Sequence, residues 1–168
     1  MPVKGAWRYD ATMQFVRRFV LFLSLLSLAV PVAAQDADVP YWASIRVGEV
    51  NMRVGPGEDY RISWVYHRAR LPLKVIRLKE GWRLVEDHMG TRGWMMARFL
   101  TRTRGAIVVG TGLADMRQAG EDEARLLWRL EPGVVGDLGD CDDGFCAFAV
   151  GGHRGYVRQA RLWGAGEP

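Results

Sequence analysis

Val50-Asn51-Met52-Arg53-Val54-Gly55-Pro56-Gly57, followed by Glu58-Asp59-Tyr60, carries the pattern from which the architecture can be read. Its first four residues read as a short strand. Gly-Pro-Gly then ends it, because two glycines able to take positive φ flank a proline of fixed φ and let the chain turn sharply. The strand returns 64 residues later as Ala114-Asp115-Met116-Arg117, and Trp64 recurs as Trp128 at the same offset. Gly81-Trp82 recurs as Gly144-Phe145 at an offset of 63, and Arg92-Gly93-Trp94 as Arg154-Gly155-Tyr156 at 62. Four anchors in the same order, aromatic matched to aromatic, make an internal repeat. The repeats are expected to span residues 42–103 and 106–164.

Between the anchors the chain reads as all-β. Strands are expected at Ala43–Val47, Val50–Arg53, Ile62–Tyr66, Leu73–Leu78, Trp82–Val85 and Gly93–Met96. Lys79-Glu80-Gly81 and His88-Met89-Gly90 separate them, and short strands with such turns between suggest a small barrel or sandwich. The stretch from Gly120 to Arg129 has room for a turn or two of helix. Units of about 60 residues bury little surface, so large aromatics help hold them together. Trp82 and Trp94 are accordingly expected in the core, with ligand contact the alternative reading.

The N-terminus has a different character. Arg17 and Arg18 precede an apolar run from Phe19 to Val30, broken only by Ser24 and Ser27, and Val32-Ala33-Ala34 follows. A basic region, an apolar core of about a dozen residues and a small-residue cleavage site are the parts of a secretory signal. The run is short for a bilayer, which needs about 20 residues. Residues 1–34 are therefore expected to be removed on export, leaving a periplasmic or secreted chain that begins at Gln35 with no membrane anchor. Either Met1 or Met13 serves as the start. Without residues 1–34 the chain holds 19 basic and 18 acidic residues, and a balance of +1 gives no nucleic-acid footprint.

Export also bears on Cys141 and Cys146. A close pair in an oxidising compartment is expected to form a disulfide, here across the turn signal Asp143-Gly144. The alternative is a metal site, but two thiolates alone do not make one, and the nearest further donor is His153. No metal and no cofactor is expected. Catalytic motifs are missing too: there is no His-Glu-x-x-His, no Gly-x-Ser-x-Gly and no phosphate-cradling glycine loop. His67, His88 and His153 fall beside turns and are expected to be exposed. Asp142 and Asp143 read as solvated turn residues.

The first repeat resembles the bacterial SH3 domain family. The residues that carry the resemblance are Val50 to Gly57, Tyr60, Trp64-Val65, Gly81-Trp82-Arg83-Leu84-Val85 and Gly90-Thr91-Arg92-Gly93-Trp94. The second repeat is degenerate. It keeps Asp115-Met116-Arg117, Leu130-Glu131-Pro132-Gly133, Gly144-Phe145 and Gly155-Tyr156, but has no Gly-Pro-Gly and no counterpart of Tyr60. The resemblance implies two tandem SH3-like β-barrels and a non-catalytic role in binding cell-wall peptidoglycan or another envelope component. The other reading is a module that binds another exported protein.

A ligand site is expected on the first repeat, beside the Gly-Pro-Gly loop, formed by Arg53, Glu58, Asp59 and Tyr60. A sharp loop against a sheet offers a groove, the ring a flat apolar surface and the charges an orientation. Tyr60 has a second reading, as a ring packed against the barrel. Residues 42–104 carry a net charge of +7 and residues 105–168 a net charge of −4. That asymmetry fits either attraction between the two repeats or a basic first repeat facing an anionic polymer or membrane surface.

Overall fold

In β2 (Val50–Arg53), Val50 and Met52 are buried while Asn51 between them is exposed, so one face of a short strand supplies a core. The same alternation builds everything around it. A computed structural model describes residues 39–168, and the signal-like segment, the two candidate start residues and Gln35 lie outside that range. The first repeat comprises β1 (Tyr41–Ile45), β2, β3 (Ile62–Tyr66), β4 (Pro72–Lys79), β5 (Trp82–Glu86), β6 (Arg92–Met96) and β7 (Leu100–Thr101). The second comprises β8 (Gly105–Val108), β9 (Ala114–Arg117), β10 (Leu126–Leu130), β11 (Val135–Asp142), β12 (Phe145–Val150), β13 (His153–Arg158) and β14 (Leu162–Trp163). Each repeat forms one seven-stranded sheet, in the orders β3-β2-β6-β5-β4-β1-β7 and β10-β9-β13-β12-β11-β8-β14. The two orders are the same once the numbering is advanced by one repeat. The described residues are all-β, as read from the sequence.

Several details differ from the sequence reading. β1 begins at Tyr41 and ends at Ile45, two residues earlier than expected. The stretch from Gly120 to Arg129 holds no helix: it is a loop that runs into β10, which pairs with β9. Trp82 and Trp94 are not core residues. Both are only partly buried, because the inward positions of β5 and β6 belong to Val85 and Met95, each fully buried. Alternation then puts Trp82, Leu84 and Trp94 together on the outer face, with Leu84 directly opposite Trp94.

The first core is built on Ile45, Met52, Leu73, Val75, Val85 and Met95, and the second on Val108, Met116, Phe148 and Val157. Removing a side chain of this size from water contributes roughly 1.5–3 kcal/mol. Gly93 and Gly155 explain the closing Gly-aromatic of each repeat. A Cβ at either would run into Met52 or Met116, and into the backbone carbonyl of Arg53 or Arg117. The Met-Arg anchor and the Gly-aromatic anchor are thus two halves of one contact.

The repeats are joined through β8, all four of whose residues are buried. Ile107 packs into the first core while Ala106 and Val108 pack into the second, so alternate side chains of one strand serve both. Trp163 reaches back to stack edge-on against Trp42 at 4.7 Å. Arg70 pairs with Asp137 at 2.7 Å and Arg68 donates to the Gly133 carbonyl at 2.8 Å. The charge asymmetry therefore includes a direct contact between repeats. His88 belongs to this junction. It is partly buried, 6.3 Å from the Trp163 ring, and not the exposed turn residue expected. His67 and His153 are exposed.

Candidate functional site

The loop after β2 is shaped by its aromatic. Neither Gly55 nor Gly57 takes positive φ. Gly55 is needed instead for close approach: a Cβ there would overlap the Tyr60 ring, which folds back over both glycines. Arg53 holds the far side of the turn, donating from Nη1 to the Tyr60 carbonyl at 2.6 Å. The backbone closes it with Val54 N–H to the Arg61 carbonyl at 3.1 Å. Tyr60 remains half exposed, so it packs against the loop on one side and meets solvent on the other.

Against this loop lies a cleft of about 210 Å³. Its walls are Arg53 and Glu58 from the loop side, Glu49 and Asn51 from the start of β2, Met96 from the end of the neighbouring β6, Trp82 from the start of β5 beside it, and Arg98 and Phe99 from the single 3-10 turn (Ala97–Phe99) that follows β6. Of the four expected site residues, Arg53 and Glu58 line it. Asp59 is exposed on the loop and does not. Tyr60 braces the loop without lining the cleft. Sequence reasoning missed Glu49, Asn51, Trp82, Met96, Arg98 and Phe99. Trp82, expected in the core by its size, points outward instead and lines the cleft.

The second repeat has a cleft of about 230 Å³ in the corresponding place. Asp115, Arg117, Asp122 and Phe145 stand where Asn51, Arg53, Glu58 and Trp82 stand in the first. Arg158 stands where Met96 stands. The consequences are large. Arg158 forms an ion pair with Asp122 across the cleft and lies over the Phe145 ring, 4.9 Å from its centroid. Arg117 pairs with Asp115 at 2.8 Å and Arg161 donates to the carbonyls of Val109 and Gly112, each at 2.8 Å. The second cleft thus satisfies its charges internally. In the first, Glu58 has no ion-pair partner among the described residues, and the lining mixes apolar Trp82, Met96 and Phe99 with Glu49, Arg53 and Arg98.

Cys141 and Cys146 are bridged. They face each other across β11 and β12, next to a turn in which Asp143 and Gly144 have φ of 45° and 79°, the two positive values of a type I′ hairpin. Among the described residues no group of three or more His, Cys, Asp or Glu is placed to hold a metal ion.

No curated protein matches the chain. Among solved structures it is similar to NlpC2 from Trichomonas vaginalis, at 14% identity and a TM-score of 0.34 over 74% of this chain and 48% of that one. NlpC1 from the same organism gives 14% and 0.34 over 77% and 48%. An NlpC/P60 family protein from Bacillus cereus gives 13% and 0.33 over 73% and 56%. The chain spans about half the length of these proteins. At the sequence level, the family described as bacterial SH3 domain matches residues 46–101 and again residues 111–164. With two matches covering more than half its length, and two sheets of one shared topology, the chain belongs to the bacterial SH3 domain family.

Proposed function

We propose that this chain is an exported, non-catalytic binding module of the bacterial envelope, and that it takes a peptidoglycan ligand in the cleft of its first domain. The observation that carries the reading is the difference between the two clefts. The same cavity occurs twice, but in the second domain Arg158 and Asp122 neutralise each other inside it. In the first domain Met96 stands in place of that arginine, and Glu58 shares the cleft with the apolar Trp82, Met96 and Phe99 and with Arg53 and Arg98. A free carboxylate beside an apolar surface suits a ligand with an ammonium or hydroxyl group on an aliphatic stem. Arg53 and Arg98 supply complementary charge for its carboxylates. Peptide stems of the cell wall have this zwitterionic chemistry.

Export is supported by the basic-apolar-small pattern before Gln35 and by a disulfide that suits an oxidising compartment. The direct test is co-sedimentation with purified sacculi. The wild-type protein is expected in the pellet, and Glu58→Gln and Trp82→Ala in the supernatant while still folded. A wild-type protein that stays in solution with sacculi but is retained by another exported protein would replace this reading with the interaction-module one.

A further inference from the structure

Each domain ends its sheet on an edge strand, β3 in the first and β10 in the second, and each edge shows large apolar side chains to solvent. On β3 these are Ile62 and Trp64, 40% and 58% exposed; on β10 they are Leu126 and Trp128, 38% and 50% exposed. The positions correspond one to one. Both strands also carry an irregularity in register against their inner neighbours at the same place, between Ile62 and Trp64 and between Leu126 and Trp128. The second repeat has lost the Gly-Pro-Gly loop and the counterpart of Tyr60, yet it keeps this display. An exposed tryptophan on an unpaired edge is the feature that soluble β-proteins ordinarily avoid, because it templates pairing with another strand. Each ring has one aromatic neighbour in its own domain, Tyr66 at 6.4 Å from Trp64 and His153 at 4.0 Å from Trp128, but neither tryptophan belongs to either core and both stay at least half exposed.

Charge says what fits these edges. Residues 61–70 carry Arg61, Arg68 and Arg70 and no acid, within a domain of net +7. Residues 121–131 carry Glu121, Asp122, Glu123 and Glu131 against Arg125 and Arg129, within a domain of net −4. Two copies of β3 would bring like-charged domains together, and so would two copies of β10. One β3 edge against one β10 edge brings opposite charges together. With the strands antiparallel and Trp64 opposite Trp128, Arg61 falls opposite Glu131.

We propose that the chain self-associates head to tail, the β3 edge of one copy pairing with the β10 edge of the next. The occupant of each edge is a second copy of the same chain. Because the two edges differ, the contact is heterologous and leaves a free edge at each end, so it can propagate into longer assemblies. This surface is separate from the ligand cleft, which neither tryptophan lines.

Sedimentation velocity on the purified protein, over a concentration series at low and high salt, tests it. The wild type is expected to form dimers and larger species that weaken as salt rises. Trp64→Glu alone and Trp128→Glu alone should each remain monomeric. Mixed in equal amounts they should form dimers and nothing larger, because each supplies the edge the other has lost. Ile62→Lys mixed with Trp128→Glu should behave in the same way, which guards against misfolding at a tryptophan site, and circular dichroism reports the fold of each variant. A wild type monomeric at every concentration would overturn the proposal. So would association that only one of the two tryptophan variants abolishes, which marks a symmetric dimer through a single edge. Association that neither variant affects would overturn it as well.

Discussion

Tyr60 and Tyr66 lie six residues apart and do different work. Tyr60 covers Gly55 and Gly57 with one side of its ring and is 50% exposed. Its truncation should therefore cost well below the roughly 3–5 kcal/mol of a fully buried aromatic. Thermal unfolding of Tyr60→Ala is expected to show that modest loss, and sacculus binding should weaken because the loop that carries Arg53 and Glu58 loosens. Tyr66 is buried and donates to Asp87 Oδ2 at 2.7 Å, while Asp87 Oδ1 accepts from the Met89 and Thr91 N–H groups at 2.9 and 2.8 Å. Burial first, then the hydrogen bond to Asp87 and that carboxylate's charge, push the Tyr66 phenol above its ordinary range. A proton held more tightly in the folded chain gives stability that is complete below the unfolded pKa, about 10 for tyrosine, and is lost as pH climbs beyond it. Denaturant unfolding should show this alkaline decline, and Tyr66→Phe should flatten it. The same substitution leaves buried Asp87 short of a donor, at a cost of about 1–3 kcal/mol near neutral pH. In the second domain Leu130 and Val150 occupy the corresponding positions, so this polar pair belongs to the first domain alone. None of this was legible in the sequence. A tyrosine at the end of a strand and an aspartate beside a turn have no mark that they meet, and Gly-Pro-Gly reads as a turn whether its glycines serve φ or close approach.

Strands were legible where alternation and turn residues agree. Val50–Arg53 and Ile62–Tyr66 run as expected, and the Asp143-Gly144 turn lies where its residue types put it. The faces were harder to read. Trp82 and Trp94 look like core by size, but inward positions on two adjacent antiparallel strands must agree, and Val85 and Met95 take them. β8 could not be read at all as a shared element, since Gly-Ala-Ile-Val has no partner written in it. Its role gives a prediction. Ile107→Ala should cost about 2–5 kcal/mol, as for other buried aliphatic truncations, although the residue belongs by sequence to the second repeat and packs in the first core. Calorimetry of that variant should show a single transition at lower temperature; a first domain melting unchanged would contradict the sharing. The hairpin of β11 and β12 is expected to depend on its bridge. In the loop-closure account a loop this short contributes about 2 kcal/mol. Reduction should lower the melting temperature accordingly, and thiol labelling under denaturing, non-reducing conditions should find no free cysteine.

For the whole molecule, duplication is what makes function readable. The repeat was visible from four anchors, and two of them meet inside each domain: Met52 packs against Gly93, and Met116 against Gly155. The cleft was only half visible, because its loop side is local in sequence while its floor comes from β5 and the end of β6. Comparing the two domains position by position supplies the rest, and it singles out Met96 against Arg158 as the exchange that separates a cleft with a free carboxylate from one already satisfied. Sacculus co-sedimentation of Met96→Arg therefore bears on that exchange. The substitution installs in the first domain the arginine that neutralises the second, opposite Glu58. As a partly exposed position it should change stability by about 1 kcal/mol or less. Folded Met96→Arg protein is expected to stay in the supernatant with sacculi, while Arg158→Met is expected to pellet as the wild type does. Sacculus binding by folded Met96→Arg at the wild-type level would contradict this reading of the cleft.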